Sequence, residues 1–186
     1  MTTTNTSLEW KYGLRWVVGN AVAWAVALWL PLLIAEGSYY TVDSVGYVPA
    51  GLVIGAAQWL VLNAKFRHSV WWLLAYAVPW SLGLVLAVED GFLTPNFWWF
   101  VGIGGLFTGA MQAWVLRHDL GQPVGWLFAY LLGSLVACYA GSLAGLSAYD
   151  LDVSETASYA IGGGVAGAVF GVCSGIVLLH LLPDQD

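Results

Sequence analysis

The sequence predicts an all-α membrane protein with six transmembrane helices, arranged as three tandem two-helix repeats. Three observations lead to this fold class. Hydrophobic residues make up 60% of the chain and charged residues 9%, with a mean hydropathy of +0.76, whereas soluble domains carry about 25% charged residues. All five Lys and Arg residues lie at the amino terminus or in alternate connections between apolar stretches. Two of these stretches also repeat, with Gly51 aligned on Gly105.

Six apolar stretches are suited to crossing the bilayer, which takes about 20 helical residues for about 30 Å of hydrocarbon. Helices fit such stretches better than barrel strands, because barrel strands are shorter and alternate in polarity. The predicted spans cover residues 14–35, 47–63, 69–88, 97–117, 123–147 and 158–182. Residues 1–13 form a short N-terminal segment and residues 183–186 a tail, so the chain is predicted to hold one transmembrane domain, residues 14–182.

Charged residues separate onto the two sides of the predicted membrane domain. The bases lie at the amino terminus and in the second and fourth connections: Lys11, Arg15, Lys65, Arg67 and Arg117. The first, third and fifth connections hold acids and no base: Glu36, Asp43, Glu89, Asp90, Asp150, Asp152 and Glu155. By the positive-inside rule, both termini are predicted to be cytoplasmic.

The internal repeat defines the helix pairs. GLVIGAAQWLVL from Gly51 matches GLFTGAMQAWVL from Gly105, and the match continues into the following span. The last span keeps the spacing alone, and the first span supplies the missing start, with Trp16, Asn20 and Trp24 aligned on Trp72, Tyr76 and Trp80. Because each unit holds two spans, all copies insert with one orientation, which predicts a pseudo-threefold arrangement about the membrane normal.

Each even-numbered span carries two glycines and one polar residue on a single face. The three sets are Gly51, Gly55 and Gln58; Gly105, Gly109 and Gln112; and Gly167, Gly171 and Ser174. Residues spaced by four and then three positions share one stripe of a helix, and the glycines allow close backbone approach. This spacing predicts tight packing, with the three polar side chains at one depth.

These segments resemble a family of small polytopic membrane proteins of cyanobacteria and related bacteria, in which G-x-x-x-G-x-x-Q-W-L-V-L segments precede Trp-rich helices. The resemblance covers spans two to five closely and spans one and six loosely. The chain departs from it at Ala113, where the family has Trp, and at Ser174, where it has an amide. The resemblance implies this fold and a location in a bacterial plasma membrane or thylakoid, and it implies no activity.

The polar residues Gln58, Gln112 and Ser174 allow two interpretations. Beside packed glycines, such groups hydrogen-bond neighbouring helices, which stabilises packing by about 0.6 to 2 kcal/mol. If they face a common axis instead, they form the constriction of a small facilitator for a neutral solute. The ionisable residues fall at span ends or in connections, which argues against proton coupling and against a charged substrate.

Four aromatic residues are candidates for contacts with a hydrophobic ligand: Trp24, Tyr76, Trp80 and Tyr130. Packing among the helices is the alternative interpretation. The sequence requires neither a cofactor nor a metal, and it leaves open a bound lipid, carotenoid or chlorophyll. His68, His118 and His180 lie on the predicted cytoplasmic side, with no Cys or carboxylate at ligand spacing.

The acids of the odd connections form a predicted outer acidic face, which is expected to attract a basic soluble partner or divalent cations. Enzyme motifs such as H-E-x-x-H and G-x-S-x-G are absent from the sequence, so no catalytic residue and no enzyme are predicted. We expect a non-catalytic accessory or scaffold protein that binds a membrane complex, a lipid or a hydrophobic pigment. Its expected partners are the bilayer, a larger membrane complex or further copies of the chain, and no nucleic acid is expected. The alternative function is that of a small facilitator for a neutral solute.

Overall fold

The computed structural model of this protein describes residues 6–34, 48–63, 70–87, 95–117 and 122–181, and within these ranges it is helical, with short turns. Its six helices are α1 (Thr6–Ile34), α2 (Val48–Leu62), α3 (Val70–Ala87), α4 (Pro95–Val115), α5 (Pro123–Asp150) and α6 (Glu155–Leu181). Side chains are described for residues 10–33, 49–63, 70–80, 101–117 and 122–180. The all-helical class therefore agrees with the sequence.

The helices differ from the predicted spans mainly at their ends. α1 begins at Thr6, eight residues before the predicted start at residue 14, so part of the predicted N-terminal segment is helical. α5 and α6 also extend toward each other, to Asp150 and from Glu155. A helix satisfies its own backbone hydrogen bonds and can continue past the end of an apolar stretch, whereas the prediction counted apolar residues alone.

Three helical stretches are long and apolar enough to cross a membrane: Trp10–Leu33, Pro123–Asp150 and Glu155–His180. Shorter apolar stretches are Pro49–Leu62, Val70–Trp80 and Val101–Val115. Large apolar side chains also cover the outside of the bundle, while Gln58 and Gln112 are buried inside it. This distribution is the reverse of that in a soluble protein, and it indicates a membrane-associated helical bundle.

The principal helix contacts close a ring. Each helix packs against the helix before it and the helix after it, and α6 packs against α1. We call the two ends of the ring the basic end, which carries Lys11, Arg15 and Arg117, and the acidic end, which carries the connection from Asp150 to Glu155. The contact between α1 and α6 joins the first described helix to the last.

Glycines of the repeated motif lie where two helices approach closely. A Cβ atom added to Gly109 would lie 3.1 Å from the Cβ atom of Tyr130 and 3.3 Å from the carbonyl oxygen of Leu127. One repeat earlier, at Gly55, the two corresponding atoms would both lie at 3.2 Å. Larger residues at these positions would push α2 from α3 and α4 from α5.

The α1–α6 contact is closer still. A Cβ atom on Gly171 would lie 2.7 Å from the Cα atom of Val17, and one on Gly167 would overlap the carbonyl oxygen of Asn20. Gly163 continues the same line of approach. Backbone packing on this scale permits glycine alone, so the glycines fix how near α1 and α6 lie.

Candidate functional site: a tryptophan centre and a cavity at the acidic end

Three tryptophans at corresponding positions of α1, α3 and α5 meet at the centre of the ring. The ring centroids of Trp16 lie 6.3 Å from those of both Trp72 and Trp126, and the centroids of Trp72 and Trp126 are 5.6 Å apart. All three side chains are fully buried. These separations are typical of edge-to-face and tilted aromatic contacts, so the three indoles, here called the indole triangle, fill the centre of the bundle.

The indole triangle is bonded to the three polar residues of the repeated motif. In each case the indole N–H donates a hydrogen bond to a side-chain oxygen on the adjacent even-numbered helix. The pairs are Trp72 Nε1 to Gln58 Oε1 at 2.9 Å, Trp126 Nε1 to Gln112 Oε1 at 3.2 Å, and Trp16 Nε1 to Ser174 Oγ at 2.9 Å. The same donor and the same type of acceptor therefore recur between α3 and α2, α5 and α4, and α1 and α6.

Further hydrogen bonds join the helix pairs to one another. Gln112 Nε2 donates to Gln58 Oε1 at 3.4 Å, and Gln58 Nε2 donates to Asn20 Oδ1 at 2.7 Å. Ser174 does not join this chain of amides directly, since its hydroxyl donates to the carbonyl oxygen of Phe170 in its own helix at 2.6 Å. The structure thus brings Gln58 and Gln112 together and connects Ser174 to them through Trp16 and Asn20.

Asn20 is a member of this network to which the sequence analysis gave no role. It is 1% exposed, and its Nδ2 atom donates to the carbonyl oxygen of Trp16 at 2.8 Å. Its repeat equivalents are Tyr76 and Tyr130, so the alignment marks Asn20 as a departure and not as a shared feature. The signal available in the sequence was an isolated amide within the apolar stretch of α1.

The four predicted ligand-contact residues form one aromatic cluster between the indole triangle and the acidic end. The rings of Trp24 and Trp80 are edge-to-face with centroids 4.9 Å apart, and Tyr76 stacks on Trp80 at 5.9 Å. Trp80 Nε1 donates to Tyr130 Oη at 3.0 Å. The prediction grouped these residues by depth, and the structure places them in mutual contact.

Some polar atoms in this part of the bundle lack a hydrogen bond. Among the described residues, Trp24 Nε1, Tyr76 Oη and Ser134 Oγ are buried without a partner. Buried polar groups are paired in most proteins, and leaving one unpaired costs about 1 to 3 kcal/mol. Trp24 therefore combines a large apolar ring with an unused hydrogen-bond donor.

A cavity of about 380 Å³ lies beside this cluster, between α1, α3, α5 and α6, and we call it the acidic-end cavity. Its lining residues are Trp24, Leu28, Trp80, Cys138, Gly141, Ser142, Gly145, Leu146, Tyr149, Glu155, Ser158, Tyr159, Gly162 and Ala166. Trp24 and Trp80 form part of the wall, while Tyr76 and Tyr130 support Trp80 from behind. The volume and the mostly apolar lining are those of a small-molecule pocket.

The sequence analysis missed the contribution of α5 and α6 to this cavity. Small residues of the two helices, such as Gly145 and Gly162, line it, and the same residues bring α5 and α6 together, since a Cβ atom added to Gly145 would lie 3.2 Å from the carbonyl oxygen of Ser158. The small residues of α5, Gly133, Ala137, Gly141 and Gly145, are spaced four apart, which predicts the close helix packing that the structure shows but does not predict the adjoining cavity. Whether such residues face a helix or a space depends on the rotation of each helix, which the spacing does not give.

No protein-family model matches the chain, and neither a curated protein nor a solved structure is significantly similar to it. The resemblance based on the G-x-x-x-G-x-x-Q segments therefore stays a prediction.

The remaining predicted site residues divide between the described and undescribed parts of the chain. Asp150, Asp152 and Glu155 lie at the α5–α6 connection, and Asp152 has a φ of 59°, as a turn residue. The other predicted acids, Glu36, Asp43, Glu89 and Asp90, lie outside the described residues, as do His68 and His118. His180 is exposed at the basic end, where its Nδ1 atom lies 2.7 Å from the carbonyl oxygen of Ile176. Within the described residues, no cluster of three or more His, Cys, Asp or Glu side chains suits a metal ion.

Proposed function

We propose that this chain is a non-catalytic integral membrane protein that binds a lipid or another hydrophobic molecule in the acidic-end cavity. The observation that carries the proposal is the cavity of about 380 Å³ with Trp24 and Trp80 in its wall. Both tryptophans are at least nine-tenths buried, because their rings pack mainly on neighbouring side chains, and each contributes a small part of its apolar surface to the cavity wall. A molecule that fills the cavity would gain dispersion and hydrophobic contacts on several sides.

The filled centre of the ring favours binding over passage. A facilitator with Gln58, Gln112 and Ser174 as its constriction needs these groups to face an opening. In the described structure their oxygens accept hydrogen bonds from the indole triangle, whose rings are in contact across the centre. We therefore interpret the polar residues as interhelical hydrogen-bonding groups that seal the bundle below the cavity.

For the topology, we propose six spans in a bacterial plasma membrane or thylakoid, with both termini cytoplasmic. The three helix pairs would be α2 with α3, α4 with α5, and α6 with α1, related by a pseudo-threefold axis along the membrane normal. This proposal is supported by the recurrence of the indole-to-oxygen hydrogen bond in each pair. The acidic end would then face away from the cytoplasm.

The experiment is to extract the protein gently from its own membrane and weigh it by native mass spectrometry, with an absorption spectrum of the same sample. The test variant is Ser142→Phe, which adds a ring at a cavity-lining position of α5. The matched control is Ser147→Phe, the same change at an exposed position of α5 that does not line the cavity. We expect a bound mass on the wild-type protein and on Ser147→Phe, and its loss from Ser142→Phe.

The absorption spectrum separates a pigment from a colourless lipid, and co-migrating subunits in the same sample would identify an accessory role in a larger complex. An identical bound mass on both variants would overturn the assignment to this cavity. Solute flux into proteoliposomes that is abolished by Gln58→Leu in a folded protein would instead favour the facilitator.

A further inference from the structure

The acidic-end cavity changes in polarity along its length. Successive turns of α5 and α6 line it from the middle of the bundle to the α5–α6 connection. At the inner end the walls include Trp24, Trp80 and Ala166, which are all buried. At the outer end they include Tyr149, which is exposed, and Glu155, which is half-buried. The cavity is therefore apolar at depth and anionic at its end.

Glu155 is the one charged residue among the described residues that line the cavity. The described bases Lys11, Arg15 and Arg117 lie at the basic end. Gly175 of α6 packs on Trp16, the neighbour of Arg15, and α6 rises about 30 Å from Glu155 to Gly175. That distance is several Debye lengths at physiological salt, so these bases do not neutralise the carboxylate. Asp150 and Asp152 add negative charge nearby, which disfavours an anionic occupant.

The size and the aromatic lining narrow the occupant further. A volume of about 380 Å³ would hold roughly a dozen water molecules at about 30 Å³ each, which is far more than a metal ion occupies. Tyr149 and Tyr159 lie with Glu155 in the lining, and aromatic faces attract alkylammonium groups. A carboxylate beside aromatic rings therefore suits an organic cation, while the buried tryptophans suit an alkyl chain.

We infer that the acidic-end cavity binds a single-chain cationic amphiphile, with its alkyl chain beside Trp24 and Trp80 and its ammonium group at Glu155. The inference rests on the proposed function, because it names the chemical class of the molecule that the cavity holds. Glu155 also lies in the first turn of α6, where a carboxylate stabilises the helix through its interaction with the helix dipole. That structural role requires no ligand, so ligand selectivity distinguishes the two roles.

The test uses three probes with one chain length, short enough for the cavity: decyltrimethylammonium, decan-1-ol and decyl sulfate. Each is titrated into the purified full-length protein in an uncharged maltoside detergent, and the bound adduct is counted by native mass spectrometry. The variants are Glu155→Gln, which removes the charge and keeps the shape, and Ser142→Phe. The control is Asp152→Asn, which removes a nearby exposed carboxylate that does not line the cavity and keeps a residue type tolerant of a positive φ.

We expect one saturable ammonium adduct that binds several-fold more tightly than the alcohol, with the sulfate weakest. Glu155→Gln should reduce ammonium affinity about fivefold and leave alcohol affinity unchanged, since a partly exposed ion pair contributes modestly. Asp152→Asn should change the affinity for the ammonium probe and for the alcohol by less than about twofold. Unchanged alcohol binding also shows that Glu155→Gln is folded.

The two proposals fail in different ways. Equal binding of the three probes, or a preference for ammonium that survives Glu155→Gln, would overturn the cationic amphiphile and leave the hydrophobic cavity in place. Binding of all three probes that survives Ser142→Phe would overturn the cavity itself, and the proposed function with it.

Discussion

Replacement of Gln58 by leucine tests whether the amide network stabilises the bundle. Gln58 takes part in three hydrogen bonds to other helices: it donates to Asn20, and it accepts from Trp72 and from Gln112. Leucine fills most of the same space but offers neither donor nor acceptor. The change would leave the indole N–H of Trp72, the Oδ1 atom of Asn20 and the Nε2 atom of Gln112 without these partners in a fully buried layer.

The expected loss of stability follows from these bonds. Interhelical hydrogen bonds in membranes average about 0.6 kcal/mol each, with a maximum near 1.7 kcal/mol. Three such bonds give a loss of about 2 kcal/mol for Gln58→Leu. Gln112→Leu removes two bonds, which are also longer, at 3.2 and 3.4 Å, and should cost about 1 kcal/mol.

The assay is unfolding of the purified protein in mixed micelles with increasing dodecyl sulfate, followed by tryptophan fluorescence, which reports on separation of the indole triangle. The matched control is Gln122→Leu, because Gln122 is an exposed glutamine before α5 with no side-chain capping bond. Its free energy of unfolding should stay within about 0.5 kcal/mol of wild type. If Gln58→Leu changes the free energy of unfolding as little as Gln122→Leu does, the amide network does not stabilise the fold and our interpretation of its hydrogen bonds is wrong.

Three further predictions follow from packing and exposure. Gly109→Ala should lower the free energy of unfolding by about 1 to 3 kcal/mol, because the new methyl group would press on Tyr130 and Leu127. Gly102→Ala on the same helix has open space at that position and should raise the free energy of unfolding by about 0.5 to 1 kcal/mol. The reverse order would contradict the described packing. An apolar maleimide in detergent should label the half-buried Cys173 faster than the buried Cys138, as measured by intact and peptide mass. A molecule bound in the acidic-end cavity should slow the labelling of Cys138 further. Equal labelling rates would argue against the burial of Cys138. Trp16→Phe and Ser174→Ala should each lower the free energy of unfolding, and a double-mutant cycle should give a coupling energy of about 0.5 to 1 kcal/mol. Additive effects would mean that the 2.9 Å hydrogen bond between these residues contributes nothing to stability.

The helical class was predictable from the sequence, and the repeat aligned distant residues without showing where they meet. The alignment of Trp16 with Trp72 and Trp126 came from the repeat, and repeated residues on one helix stripe occupy corresponding places in the packed ring. The depth of Gln58 and Gln112 followed in the same way. The role of Asn20 was not predicted, because the aligned residues of the other repeats are not amides, although Asn20 accepts the hydrogen bond at the end of the chain of amides.

The cavity was not predictable, because it depends on where the copies differ. Trp24 and Trp80 align with Ser134 in the third odd helix, so two indoles lie where the layer below has three. Gly141 and Gly145 of α5 pack closely on the backbone of α6, so small residues of both helices bound the space beside the two tryptophans. Glu155 was counted only for its charge, since its position in a cavity lining depends on how α5 and α6 are rotated.

The bond from Trp16 to Ser174 also sets the order in which the protein can be completed. These residues are 158 positions apart, so α1 leaves the ribosome long before α6 exists. Until then, the indole N–H of Trp16 lacks its acceptor, and the face of α1 around Asn20 lacks the glycines that pack against it. The earlier pairs, α2 with α3 and α4 with α5, join residues 14 positions apart and can form while synthesis continues. We expect α1 to remain loosely held against the other helices during insertion, until α6 enters the bundle.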